Sequence, residues 1–322
     1  MNSSFFLFMG SMILGIMVSF CSNNLIMVWV GLEISLLSFM PIMTGESLLN
    51  SESSMKYFIV QSLSSSLLLL GMMMMILNFG FLGNLIMSIS LMIKIGVAPF
   101  HSWVLSVVEG LNYFSLFIML FMMKLAPLLI CSLMNINLMI FSFLTMVIGS
   151  ISGLIQNSIR KLLAYSSIYN LGLMVSCIYE ISIWLIYFLV YGFILILLLF
   201  MLSLLNSNYL NQIIMVEFDL FKKLIFWSIM LSMGGLPPFL GFFNKLIVIE
   251  FLVMNENFIL VITLILTALM VIFYYIRLTF ISLMFFSSSL KINLVNVSSL
   301  SMLILLINLL SFPFILFFKS LI

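Results

Sequence analysis

Apolar residues run along this chain in blocks of about twenty, separated by short polar breaks. The blocks fall at approximately 5–20, 24–43, 57–78, 81–108, 112–132, 137–155, 162–179, 182–205, 224–254, 258–282 and 300–318. A helix needs about 20 apolar residues to cross the hydrocarbon of a bilayer, so each block predicts a spanning helix. No polar stretch is long enough to fold as a soluble domain. The pattern predicts an all-α polytopic membrane protein with about eleven transmembrane helices in a single membrane domain, 1–322. Two blocks, 81–108 and 224–254, are too long for one straight crossing, and both carry proline near the middle, at Pro99 and at Pro237 and Pro238. Tilt absorbs some excess length, but a broken helix absorbs it better, because proline lacks the N–H that the ladder needs and clashes with the preceding turn.

Composition agrees with the pattern. The chain is 65% hydrophobic and 6% charged with a net charge of +2, so it offers no basic patch to neutralise phosphates and nucleic acid is excluded as a partner. Cys21, Cys131 and Cys177 are far apart in apolar surroundings, with no metal or cluster spacing. The first residues, Met1-Asn2-Ser3-Ser4-Phe5, show neither a basic n-region nor an Arg-rich presequence, as expected of a protein inserted where it is made. Methionine (29) and phenylalanine (33) abound while arginine occurs at only 160 and 277, the bias of AT-rich codons with AUA read as Met. That points to a mitochondrial genome and to the inner membrane. Lys56, Arg160, Lys161, Lys222, Lys223, Arg277 and Lys291 fall on the N-terminal side of the predicted spans and only Lys319 on the other. Basic residues favour the inner side, so the N-terminus is expected in the matrix and the C-terminus in the intermembrane space.

Against this background Glu33, Lys94, Lys124 and Lys245 stand out as lone charges inside apolar blocks. A charge at mid-span costs roughly 2.5–3.5 kcal/mol on insertion scales and persists where it is paired or faces water. Glutamate and lysine both bind and release protons, so four of them suggest a proton path. Lys94 stands five residues before Pro99, in Lys94-Ile-Gly-Val-Ala-Pro-Phe-His101; Lys245 follows Gly234-Gly-Leu-Pro-Pro-Phe-Leu-Gly241. Interrupted hydrophobic segments in corresponding halves of a chain mark ion sites in repeat-built transporters. Bland readings stand beside these. Lys124 or Lys94 could snorkel, although from mid-span the interface lies roughly 15 Å away. Glu33 could be a protonated acid bonded to Ser35 or Ser38, or the partner of Lys94. His101 could be a helix-end hydrogen-bonder, or could link the interior to matrix water.

The ordered stretches Gly31-Leu-Glu-Ile-Ser-Leu-Leu-Ser-Phe-Met-Pro41, Lys56-Tyr-Phe, Lys94 through Trp103, Lys124-Leu-Ala-Pro127, Ser158-Ile-Arg-Lys-Leu-Leu-Ala-Tyr-Ser-Ser167 and Gly234 through Lys245 resemble the subunit 2 family of mitochondrial NADH:ubiquinone oxidoreductase, respiratory complex I, in an arthropod-like form. They cover residues 30 to 250 in the family's order. The resemblance implies an antiporter-like fold of two inverted five-helix repeats, about 5–132 and 137–282, each with one broken helix, followed by a C-terminal span at about 300–318. It assigns Glu33 and Lys94 as an interacting pair, Lys124 as the central relay, Lys245 as the distal lysine, and a hydrophilic axis at mid-membrane. Where the family usually has histidine, this chain has Asn170, which can order water but cannot carry a proton near neutral pH.

The function expected is a proton-translocating membrane-arm subunit of complex I, counted as part of an NADH:ubiquinone reductase. The chain has no nucleotide fingerprint or cluster ligands, so it binds no cofactor itself. NADH, flavin, iron–sulfur clusters and ubiquinone are expected on partner subunits, and the partners are other membrane-arm subunits, among them neighbouring antiporter-like ones, and lipids. Two rival readings share the fold: a stand-alone cation/proton antiporter, for which Glu33 is the only mid-span carboxylate on offer, and a structural scaffold whose charges form inert salt bridges.

Overall fold

A computed structural model describes residues 3–45, 47–134, 138–205, 207–210, 212 and 220–284. The expected span at 300–318, Lys291, Lys319 and most of the loop 206–223 lie outside the described residues. The described chain is helical throughout its ordered elements: α1 (Ser3–Cys21), α2 (Leu25–Met43), α3 (Leu48–Ile76), α4 (Gly80–Ile95), α5 (Ser102–Val108), α6 (Tyr113–Phe117), a π-helical turn (Ile118–Met122), α7 (Met123–Leu133), α8 (Met139–Gly153), α9 (Ile159–Ser176), α10 (Ile181–Leu205), α11 (Leu220–Gly234), α12 (Leu240–Met254) and α13 (Phe258–Met284). Among the described residues, six helical stretches are long and apolar enough to cross a membrane: α1, α2, α3, the continuous run Tyr113–Leu133, Ile181–Leu204 and Phe258–Phe280. Shorter apolar helices cover Gly80–Ile95, Met139–Ile155 and Leu224–Gly234.

Two compact units divide the chain. The first holds Met1–Thr145 with Ile178–Ile181; the second holds Met146–Cys177 and the residues from Ser182 onward.

In the first unit, α1 and α2 pack backbone to backbone. A Cβ added at Gly31 would lie 2.7 Å from the Gly15 carbonyl oxygen and 2.7 Å from the Ser19 nitrogen; one at Gly15 would lie 2.7 Å from the Ser35 nitrogen. The small residues recur four apart on each helix, Gly15 with Ser19 and Gly31 with Ser35. In lipid, where tails are as apolar as leucine, close approach of this kind replaces the hydrophobic drive between helices. Serine hydroxyls along these helices return to their own backbone, as Ser19 does to Ile16 and Ser35 to Leu32, so they cross without an unpaired donor.

Both long apolar blocks are broken. α4 has 16 residues, roughly 24 Å at 1.5 Å each, which is short of a hydrocarbon core of about 30 Å. It stops at Gly96, whose φ is +81°, and the second break stops α11 at Gly235, φ +76°. Only glycine takes this left-handed region without strain. The two stops share one hydrogen-bond pattern. Gly96 N–H bonds Met92 O at 3.0 Å, Val97 N–H bonds the same oxygen at 3.1 Å, and Phe100 N–H bonds Val97 O at 2.8 Å. In the second break Gly235 N–H bonds Leu231 O at 3.0 Å, Leu236 N–H bonds it at 3.2 Å, and Phe239 N–H bonds Leu236 O at 2.9 Å. Proline follows each glycine at the same distance, Pro99 and Pro238, and each X–Pro bond there is cis.

The second unit is built around α9, whose residues from Leu162 to Ser176 are all buried. A helix surrounded by protein can carry Asn170, whose side-chain oxygen accepts from the Tyr187 hydroxyl, where lipid would leave that amide without a partner. The connection from α8 to α9 collects cationic side chains. Arg277 donates to Leu154 O at 2.9 Å and to Gln156 O at 3.2 Å, just past the end of α8, where the helix dipole favours a cation. Arg160 bonds the Asn208 side chain at 3.0 Å, and Ile159 N–H bonds Asn208 O at 3.1 Å.

Candidate proton-transfer sites

Lys94 lies in the last turn of α4 and is 7% exposed; Lys124, near the start of α7, is 4% exposed. A side chain snorkelling to an interface would be far more open than that. Both lysines line one internal cavity, together with Ser35, Tyr57, Gln61 and Trp103. Its free space admits the centres of water-sized spheres over about 20 Å³, at or slightly above what one ordered water needs.

Local structure explains why the lysines can stay there. Side chains complete the bonding of the carbonyls at the first break: Ile93 O accepts from Trp103 Nε1 at 3.0 Å as well as from Gly96 N–H at 3.2 Å, and Lys94 O accepts from Gln61 Nε2 at 3.1 Å. Left bare in hydrocarbon, each would cost several kcal/mol. Lys124 sits between two weak points of its helix. The π turn Ile118–Met122 widens the ladder before it, and Pro127, inside α7, removes the donor that would reach Met123 O.

Glu33 is half-buried on α2, and its Oε1 has no hydrogen-bond partner. Ser35 and Ser38 do not hold it: their hydroxyls donate to the backbone oxygens of Leu32 and of Ile34 and Ser35. Glu33 and Lys94 form no ion pair within 4.0 Å. The pair that the sequence suggests is therefore not closed as an ion pair in this structure. His101 starts α5 immediately after the break and is half-buried, with its carbonyl accepting from Val104 N–H at 3.1 Å.

Lys245 belongs to the second unit and is 6% exposed. Its ammonium donates to the carbonyl oxygen of Gly234, the last residue of α11. It also lies over the Tyr169 ring, 5.6 Å from the centroid, a contact that reaches about 2 kcal/mol when desolvated. Beside it, Asn244 Nδ2 donates to Tyr187 O at 3.3 Å, and the Tyr187 hydroxyl donates to Asn170 Oδ1 at 2.8 Å. Asn170 thus accepts a phenol hydrogen bond.

The match to known proteins covers most of the chain: residues 22–271 fit the transmembrane family described as NADH:quinone oxidoreductase/Mrp antiporter. The chain belongs to this family. NADH-ubiquinone oxidoreductase chain 2 of Anopheles gambiae is 40% identical over 290 residues, covering 85% of this chain and 84% of the relative. Respiratory complex I from Thermus thermophilus contains a chain that superposes with a TM-score of 0.80 at 24% identity, over 87% of this chain and 71% of that one. A chain of the Mrp complex from Dietzia sp. DQ12-45-1b gives a TM-score of 0.74 at 16% identity, over 83% and 58%. At such identities these two structures establish the antiporter-like fold.

Within this antiporter-family fold, sequence reasoning missed Gln61, Trp103, Tyr169 and Tyr187. Tyrosine and tryptophan count as apolar in a hydropathy pattern, and nothing in their spacing announces a partner on a distant helix.

Proposed function

We infer that this chain is a proton-translocating membrane-arm subunit of respiratory complex I, a multi-pass protein of the mitochondrial inner membrane that works beside other antiporter-like subunits. It is part of an NADH:ubiquinone oxidoreductase whose redox chemistry takes place on other subunits, where NADH, flavin, clusters and ubiquinone bind. The observation that carries a proton route is the cavity shared by Lys94 and Lys124. Two buried lysines lining one space large enough for water can exchange a proton through it without exposing it to lipid.

The working cycle we propose starts with Glu33. Closing onto Lys94, it favours the ammonium; opening, it frees the proton for Lys124, and Lys245 is the distal carrier. His101 connects Lys94 to matrix water. The matching backbone of the two breaks supports two repeats, about 5–132 and 137–282, which we propose are inverted; the distribution of basic residues favours an N-terminus in the matrix.

Lys124→Met and Lys124→Arg test the relay. Methionine keeps length and lowers insertion cost, so the complex assembles; arginine keeps the charge and holds its proton too tightly to pass it on. Protons pumped per NADH, measured on equal amounts of assembled complex, should fall several-fold in both variants. A Lys124→Arg complex that pumps normally would reduce Lys124 to a fixed charge and favour the scaffold reading.

A further inference from the structure

The ammonium of Lys245 has two neighbours of different kinds. One is the Gly234 carbonyl, left without a helical partner by the break. The other is the ring of Tyr169, a side chain with no exposed surface. The lysine stem reaches the carbonyl across Gly235: a Cβ there would fall 2.8 to 3.0 Å from Cε, Nζ and Cδ of Lys245. Tyr169 is fixed from behind. A Cβ on Gly149 of α8 would lie 2.7 Å from the Tyr169 nitrogen, so α8 and α9 touch backbone to backbone at this residue. The spacing between ring and lysine is set by their chain neighbours. Asn170, next to Tyr169, and Asn244, next to Lys245, are both bonded to Tyr187, one through its hydroxyl and one through its carbonyl.

We propose that Tyr169 is a positioning residue for Lys245: its ring face and the Gly234 carbonyl hold the ammonium from two sides, with Tyr187 clamping α9 and α12 at that separation. This rests on Lys245 being a proton carrier and says what keeps its loaded form in place. A carbonyl alone gives the ammonium one acceptor. The ring adds an electronegative face that attracts a cation and has no comparable attraction for the neutral amine. The face does this work, so phenylalanine replaces tyrosine and leucine does not.

A double-mutant cycle on the assembled complex tests it. Tyr169→Phe and Tyr169→Leu are each made with Lys245 intact and with Lys245→Met, and the thermal midpoint for dissociation of the membrane arm is measured along with protons pumped per NADH. Tyr169→Leu should lower the midpoint by several degrees when Lys245 is intact and much less beside Lys245→Met. Tyr169→Phe should change little in either background. With Lys245 intact, pumping should drop several-fold for leucine and hold for phenylalanine. Failure of Tyr169→Leu to assemble unless Lys245→Met accompanies it is the same coupling in stronger form. An equal cost in both backgrounds, or a Phe variant as impaired as the Leu variant, would overturn the proposal by making the ring mere filler. The proton role of Lys245 fails separately: Lys245→Met alone would then pump normally while the thermal coupling to Tyr169 persisted.

Discussion

Gln61 reaches across from α3 to the carbonyl of Lys94, 33 positions along the chain, and so ties the last turn of α4 to α3 beside the cavity. Gln61→Leu keeps the bulk and removes the donor. An unpaired buried carbonyl costs about 1–3 kcal/mol, so the assembled membrane arm should dissociate at lower temperature; a midpoint equal to that of the native complex would show that another donor takes over. Glu33, Lys94, Lys124 and Lys245 were legible in the sequence because a charge inside an apolar block has no bland surroundings to hide in. Gln61 was not, because one amide among the serines of α3 looks like any other polar residue until its acceptor on α4 is known. Tyr169 was hidden for a related reason: its ring is apolar to a hydropathy pattern and electronegative to an ammonium. Glu33 was legible as a charge, but its distance from Lys94 depends on the packing of α2 against its neighbours, which no spacing in the chain encodes.

The two helix breaks were legible as elements, since Gly and Pro inside an overlong apolar block leave few other outcomes. Their detail was only half legible. The sequence marks where each helix stops; the common hydrogen-bond pattern, and the side chains that accept the burden of the freed carbonyls, belong to tertiary structure. The π turn before Lys124 has no sequence mark at all. Substitution separates the two breaks. Gly96→Ala and Gly235→Ala both force a Cβ onto a left-handed residue, costing about 1–3 kcal/mol, and both should reduce the yield of assembled complex. At Gly96 the added carbon meets the Val104 side chain at 2.4 Å, whereas at Gly235 it meets Lys245. Gly235→Ala should therefore also lower protons pumped per NADH in the complex that does assemble, an effect detectable as a split between yield and pumping ratio.

At the scale of the whole molecule, two arginines of the second unit, Arg160 and Arg277, meet at the connection from α8 to α9. That end should face the matrix, and Cys21, exposed at the end of α1, the opposite side. A membrane-impermeant maleimide should label Cys21 in mitoplasts and an Asn157→Cys variant only in inverted inner-membrane vesicles; the reverse would invert the topology, and Cys131 and Cys177, both buried, should stay dark. The pair of breaks carries one more consequence. Lys94 stands two residues before its glycine turn, on the half-helix that enters the break; Lys245 stands ten residues after its own, on the half-helix that leaves. Yet Lys94 sits in the final turn of α4, and Lys245 bends back to the final carbonyl of α11. Each terminus carries about half a negative charge from its aligned peptides, so both amines answer to the same electrostatic address from opposite tethers. What the fold holds constant is the place where a positive charge is welcome, and the backbone that carries the lysine to it is free to differ.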